Sequence, residues 1–552
     1  MGAKQEVLIV PEPKRLDFTG RWFTFDGFSN FPDFLRSEFG VPEGRWVISA
    51  VEGCSVGEGR VKVEEGKVTI YGDRNICYAT LLQLVIQGGD YLPEVEVEES
   101  LRFKFRGYHL DIARGGVPKV ETFKRMLRWL FLLKYNYFAI YFEDLFPWEA
   151  YPQIGAYRGR LSREELREII DYGSKLSIEV FPSLELSGHM ENILSLPEFQ
   201  RFSEWHNPRE GCLDLSNDEA RKFAYELLEE AIDGFPSAKY VHIGGDETWA
   251  LGRGRSLNKT WTFEGPKLYE THHREMINRV LRRGKEPILW GDMISGMYLR
   301  EEAKKWSEVL ESDVWRSSLI ANWDYSPRSK DYFKEKIGIF KARGLRQIVC
   351  PGFSNWNRYY PNFDTALENL KNFLSAAAEE GVEGFLVTAW GDDGEECLFS
   401  LLDPLILATM EIAEGRGDWE KKWLAISGED EQTLKARLLF GRRVFSDIVK
   451  RVIFRDLWYR RMPEDERRRI CSEWEKMLSE VRDLKLPGDL DFIRRLLILG
   501  IKVLRGEAKS SDYIAISNIY AELWLGERKP EGLERIVERF WGMAGKIDAG
   551  LL

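Results

Sequence analysis

The sequence predicts an α/β protein: a (β/α)8 TIM barrel, with an α+β domain before it and a helical region after it. Three observations predict this. From residue 101 to 415, β-rich runs alternate with charged amphipathic stretches through eight rounds, the pattern of a parallel sheet covered by helices. The preceding residues 1–100 mix short β-rich runs with one helical stretch, and in residues 416–552 the β-rich runs stop and helical periodicity takes over.

Taken in order, Val7–Val10, Trp22–Phe25, Trp46–Val51, Val61–Val63 and Val68–Tyr71 are short runs of β-forming residues. Glu65-Gly66 marks a hairpin between the last two, since glycine readily supplies the positive φ of a tight turn. Arg74 to Gln87 carries Ile76, Ala79, Thr80 and Leu84 on one helical face. Val95 and Val97 alternate with acids as a final strand.

The barrel strands are expected at Gly107–Ile112, Tyr137–Phe142, Ile178–Pro182, Tyr240–Ile243, Pro287–Trp290, Leu319–Trp323, Gln347–Cys350 and Gly384–Ala389. Amphipathic stretches such as Ser162 to Lys175 and Asp364 to Glu380 lie between them. Ser162 followed by Glu165 is a capping-box signature. Eight rounds in about 310 residues fit a barrel of about 250 residues with insertions. Beyond it, Leu434–Trp458, Glu464–Leu484, Leu490–Leu504 and Ser511–Leu525 read as helices, punctuated by Pro463 and Pro487-Gly488. They are expected to brace the barrel or to join two copies as a homodimer.

Composition narrows the function classes. The net charge is -11, from 79 basic and 90 acidic residues, which argues against a nucleic-acid binder with its basic stripe. Six scattered cysteines (Cys54, Cys77, Cys212, Cys350, Cys397, Cys471) form no C-x-x-C pair. This predicts neither a disulfide framework nor a zinc cluster, and a reducing cytoplasm is the simplest expectation. The start, Met1-Gly2-Ala3-Lys4-Gln5-Glu6, shows no apolar leader. No stretch predicts a membrane span, and no cofactor or metal is called for. The 19 tryptophans suit packing on the apolar faces of pyranose rings.

A barrel carries its chemistry at the C-terminal ends of its strands. Here those ends are rich in acids and indoles: Asp111 and Arg114; Glu143-Asp144; Glu185 to His189; His242 to Glu247; Trp290-Gly291-Asp292; Trp323-Asp324-Tyr325; Ser354 to Asn357; Trp390 to Asp393. Asp246-Glu247 is the sharpest feature. Gly244-Gly245 lets the backbone turn just before it. Neighbouring carboxylates repel, so one of the two is expected to be held protonated and to serve as a general acid. Retaining glycosidases usually set two carboxyls about 5 Å apart across the sugar. Consecutive residues are badly placed for that. They are well placed if the substrate's own 2-acetamido group is the nucleophile, one acid protonating the leaving oxygen and the other holding the amide.

At this point the sequence resembles a known family. His242-Ile243-Gly244-Gly245-Asp246-Glu247 and Phe105 to Arg114 resemble the motifs of glycoside hydrolase family 20, the β-N-acetylhexosaminidases. Tyr141 to Glu149, Ser187 to Glu191 and Leu251 to Gly254 are closer to its hexosaminidase D branch. The resemblance covers the N-terminal domain and the barrel. It implies exo-acting, retaining, substrate-assisted removal of terminal β-linked GlcNAc or GalNAc through an oxazolinium, with a slight tilt toward GalNAc. It implies Glu247 as acid/base and Asp246 as the carboxylate holding the acetamido N–H. It implies Arg106 as the grip on sugar hydroxyls, and Asp144 with His189 as a pair tuning the acid. Trp290, Trp323 and Trp390 are implied as pocket walls. Asp392 stands where many members have Glu on an outer hydroxyl. Tyr325 is the choice for the acetamido oxygen, with Trp356 and Asn357 as the alternative source of that contact.

Two rival readings make different demands. A metal-dependent barrel hydrolase would gather His109, Asp111, His189 and His242 around an ion. A sugar-binding scaffold on a decayed barrel would lack the acid pair. Asp111 reads as a backbone or Arg114 partner, and His272-His273 as a solvent-exposed pair on a helix.

Overall fold

The computed structural model describes residues 6–51, 53, 56–295 and 303–552. Cys54 and the opening segment Met1 to Gln5 lie outside the described residues. An N-terminal sheet holds β1 (Arg15–Thr24), β2 (Val47–Val51), β3 (Glu58–Glu64), β4 (Lys67–Gly72) and β5 (Tyr91–Ser100) in the order β1-β5-β3-β4-β2. β3 and β4 form the expected hairpin, with Gly66 at φ 72° in its turn.

Val7–Val10 is extended but joins no sheet. Its backbone pairs instead with glutamines of the helix Arg74–Gly88: Leu8 N donates to Gln87 Oε1 at 3.0 Å and Val10 N to Gln83 Oε1 at 2.8 Å. Gln83 Nε2 returns a bond to Val10 O and another to Leu132 O, stitching this domain to the barrel. Beside it the buried Lys134 donates to Glu99 at 2.5 Å and to Val10 O at 2.7 Å. A buried ion needs this degree of pairing.

The eight barrel strands fall within about two residues of their expected places: β6 (Phe105–Asp111), β7 (Tyr137–Tyr141), β8 (Glu179–Ser183), β9 (Tyr240–His242), β10 (Glu286–Trp290), β11 (Leu319–Trp323), β12 (Arg346–Cys350) and β13 (Gly384–Ala389). All pair in parallel, and β13 closes on β6 with Gly384 opposite Phe105 and Ala389 opposite Leu110. Their apolar runs are buried on both faces, as a helix-covered parallel sheet requires. The interior is filled in layers. Phe105, Tyr137, Phe181 and Tyr240 fill the N-terminal end, Phe105 stacking on Tyr137 at 4.1 Å. His109, Tyr141, His242, Trp290 and Trp390 form the layer next to the opposite opening. The helix Arg163–Lys175 starts with the expected capping box, Glu165 N donating to Ser162 Oγ and Ser162 N to Glu165 Oε2.

The helical region departs from expectation in two places. Leu434–Trp458 is four helices rather than one: Glu431–Phe440, Arg443–Ser446, Val449–Ile453 and Leu457–Arg461. The chain breaks at Gly441, whose carbonyl accepts from Phe363 N at 2.8 Å, and at Arg455, which takes φ 47° before Asp456 caps the next helix. Docking onto the barrel therefore overrides helical periodicity. A further helix, Leu533–Asp548, follows. Among the described residues, no helix is long and apolar enough to cross a membrane.

Candidate active site

A cavity of about 180 Å3 opens at the C-terminal end of the barrel, lined by Arg114, His189, Asp246, Glu247, Trp323, Tyr325, Trp356, Trp390 and Asp392. Its sharpest turn follows β9. There the chain leaves the ladder through Gly244 (φ 69°) and Gly245 (φ 96°). A Cβ on Gly244 would lie 2.3 Å from Leu184 O, and one on Gly245 would lie 2.6 Å from both His273 Nε2 and Tyr269 Oη. Only glycine satisfies both the dihedrals and the space. Tyr269 Oη donates to Gly245 O at 2.7 Å and fixes the turn from behind.

Glu247 emerges at φ 48°, a left-handed conformation that costs a glutamate about 1 kcal/mol or more. Asp292 holds it there by accepting the Glu247 N–H at 3.0 Å. The second oxygen of Asp292 accepts Trp323 Nε1 at 3.2 Å, so one buried carboxylate sets both the acid and an aromatic wall. His189, itself at φ 50°, brings Nε2 to 3.6 Å from Asp246 Oδ2 and 3.5 Å from Glu247 Oε2. Positive φ at non-glycine residues recurs at these strand ends, in Glu143, Ser354, Asn357 and Asp393 as well.

The electrostatics differ from simple repulsion within the Asp246-Glu247 pair. Burial works to raise the Asp246 carboxyl, but His189 and the adjacent Glu185 more than offset it and hold Asp246 below the ordinary carboxylate range. Burial works to lower the His189 imidazole, yet Asp246 and Glu247 outweigh it and raise it well above 6.5. Several acids around Asp246 are raised. Burial and the charge of Asp246 push Asp292 up to about 7 and Glu185 well above its usual value. Burial, only partly offset by Arg114, pushes Glu143 up to about 8. The site thus favours the charged forms of Asp246 and of the His189 imidazole beside it.

The opposite wall is aromatic. Trp323 stacks on Tyr325 at 5.1 Å, Tyr325 meets Trp356 at 5.2 Å, and Trp390 Nε1 donates to Tyr325 Oη at 2.7 Å. Arg114 enters beneath Asp392. Its guanidinium lies 2.7 Å from Asp111 Oδ2, 3.1 Å from Glu143 Oε1 and 4.0 Å from Asp392 Oδ1, over the rings of Tyr141 and Trp390.

Residues 103–393 match the model of the glycosyl hydrolase family 20 catalytic domain. The chain belongs to this family and is a glycoside hydrolase. It is 27% identical over 307 residues to hexosaminidase D of Bos taurus, covering 51% of this chain and 83% of that protein. It is 28% identical over 308 residues to hexosaminidase D of Homo sapiens, covering 53% of this chain and 61% of that one. In fold it is similar to the β-N-acetylhexosaminidase of Bacteroides fragilis, with TM-score 0.60, 20% identity and coverage of 76% and 94%. The chitobiase of Flavobacterium johnsoniae aligns over 97% of this chain and 99% of its own, with TM-score 0.59 and 16% identity.

Of the residues expected in the family 20 site, Asp246, Glu247, His189, Trp323, Tyr325, Trp356, Trp390 and Asp392 are brought together around the cavity. Three are not. Arg106 lies at the N-terminal end of β6, buried, its guanidinium donating to Phe103 O at 2.6 Å and Lys134 O at 2.8 Å. The arginine in the cavity is Arg114. Asp144 is buried and ion-paired with Arg158; its neighbour Glu143 is the acid beside His189, with Glu191 completing the cluster. Trp290 is fully buried in the layer below the cavity and donates to Glu185 Oε1 at 3.1 Å. Glu185 and Asp292 stand among the strand-end acids of the sequence, and the contacts that give them roles, to Trp290, Glu247 N and Trp323, join residues far apart in the chain.

The four side chains of the metal reading do not converge. His109 Nε2 meets Ser183 Oγ at 3.0 Å, His242 Nδ1 accepts Gly244 N, and Asp111 is taken up by Arg114 and Ala113 N. His272 and His273, expected in solvent, are buried, with His272 Nε2 on Leu186 O and His273 under the Gly245 turn.

Proposed function

We propose that the enzyme is an exo-acting, retaining β-N-acetylhexosaminidase that removes terminal GlcNAc or GalNAc with the substrate's acetamido oxygen as nucleophile. One observation carries the reading. Asp246 lines the cavity beside Glu247, and apart from its contact with the Glu185 carboxyl its buried Oδ1 has no hydrogen-bond donor, a costly state for a carboxylate oxygen. An acetamido N–H supplies the missing donor. Tyr325 Oη accepts from Trp390, which leaves its proton to donate to the acetamido oxygen. Arg114 and Asp392 face the ring hydroxyls, and Trp323, Trp356 and Trp390 pack on the apolar faces.

Glu247 gives its proton to the glycosidic oxygen as the C1–O bond breaks and the amide oxygen bonds to C1, forming an oxazolinium. Asp246 stabilises the positive charge on nitrogen. Water then attacks C1, Glu247 takes its proton, and the ring reopens; two inversions retain configuration. No second carboxylate is needed across the sugar. A cytoplasmic setting is part of this reading: Cys77, Cys212, Cys350, Cys397 and Cys471 are free thiols, the state that a reducing compartment maintains.

Side-by-side kinetics on aryl β-GlcNAc, β-GalNAc and β-glucoside test this. Turnover of one or both hexosaminides with little β-glucoside hydrolysis is expected, and Glu247→Gln should lower kcat by about 10³-fold. Rapid β-glucoside cleavage, or covalent trapping of an enzyme carboxylate, would refute the mechanism.

A further inference from the structure

A second cavity, of about 830 Å3, lies beside the first, within the size range of ligand sites. Trp356 lines both. Asp392 faces the smaller cavity and the next residue, Asp393, faces the larger one. The far walls come from helices that follow the barrel, Val449–Ile453 and Leu533–Asp548. The lining is rich in paired charge. Arg358 meets Asp447 at 2.6 Å, Lys450 meets Asp393 at 2.5 Å and Arg451 meets Asp456 at 3.0 Å. The lining sets Arg358, Lys450, Arg451, Arg539 and Lys546 against Asp393, Asp447, Asp456 and Glu538, and Lys450 and Arg539 are also engaged by Glu396 behind them; so nearly balanced a wall of donors and acceptors suits a neutral, hydroxyl-rich ligand, whereas a phosphate or a nucleic acid needs a strongly positive one.

We infer that this cleft binds the leaving-group side of the substrate: a neutral oligosaccharide that crosses Trp356 from the smaller cavity and lies against the C-terminal helices. The inference rests on the proposed hexosaminidase reading and adds a substrate class to it, since it makes extended glycans better substrates than short glycosides. Carbohydrate rings pack on the indole of Trp356 while hydroxyls exchange bonds with the ion pairs.

The helix Leu533–Asp548 offers a clean test. Gly542 lines the cleft, and a Cβ there would meet nothing within 4 Å. Gly542→Trp therefore starts an indole from an open position in the cleft lining and narrows the cleft. Gly545 on the same helix is equally open but does not line the cleft, so Gly545→Trp controls for the helix. The readout is kcat/KM on a neutral β-linked N-acetylhexosamine tetrasaccharide divided by kcat/KM on an aryl β-N-acetylhexosaminide. Gly542→Trp should lower this ratio about tenfold, through KM, and Gly545→Trp should leave it near the starting ratio. Calorimetric titration of the tetrasaccharide into Glu247→Gln, with and without Gly542→Trp, reads the same loss in affinity without turnover. A ratio and an affinity that both survive Gly542→Trp overturn the cleft. Weakened affinity in a protein that turns over no hexosaminide supports the cleft and faults the proposed activity instead.

Discussion

Arg106 opens β6 and Arg114 follows it, so the two belong to opposite ends of the barrel. Arg106 is spent on two backbone carbonyls; Arg114 is ion-paired at the cavity. Arg114→Lys loses the planar fork and should raise KM for a hexosaminide about tenfold or more, whereas Arg106→Met should lower Tm and leave KM unchanged. Steady-state kinetics and thermal melts on the two variants separate them. The strand-end rule alone favours Arg114, because the run Gly107–Ile112 already puts Arg106 before the strand; the motif resemblance pointed the other way. Glu143 and Asp144 illustrate a different limit. Adjacent acids leave a strand end in different directions, and sequence does not say which one turns inward. Asp292 adds a pH dependence. Its folded-state value is about 7 against an ordinary 3.8, so between these values the folded state holds a proton that the unfolded chain has released. Stability contributed by this group is therefore lost as pH rises from about 4 to about 7. Asp292→Asn should flatten that part of the Tm–pH curve; an unchanged slope would show that the group does not titrate there.

At the scale of elements, β9 is three residues long and carries the most demanding turn. Gly245→Ala combines positive φ with a Cβ 2.6 Å from two fixed side chains. It should cost about 1–3 kcal/mol and displace Glu247, seen as a lower Tm together with a loss of kcat. The barrel strands were legible because they are buried on both faces and read as unbroken apolar runs. Burial of the histidine pair, contrary to the expected solvent exposure, has a local signal as well. Tyr269, His272, His273, Met276 and Val280 recur at helical spacing on the buried face of Gly265–Arg282, so periodicity places both imidazoles inside. The helix Glu431–Phe440 and its short successors were not legible from periodicity, which runs through their breaks; the local signals there, Gly441 against Phe363 and the N-cap Asp456 after Arg455, are single residues.

At the scale of the molecule, the helical region is fastened to the loops that shape the active site. Lys450 and Arg539 grip Asp393 and Glu396, Arg528 packs over Phe399 and donates to Cys397 O, and Tyr520 Oη donates to Glu396 O. These residues immediately follow Trp390 and Asp392. Composition and periodicity announced the helices but could not announce their target, since long-range ion pairs leave no local trace. The fastening also imposes an order on how the enzyme is made. β13 is synthesised well before Arg528 and Arg539, so the loop after it acquires these anchors only when the last helices have emerged and folded back. A chain cut between the two carries every catalytic strand and lacks the ion pairs that set this wall.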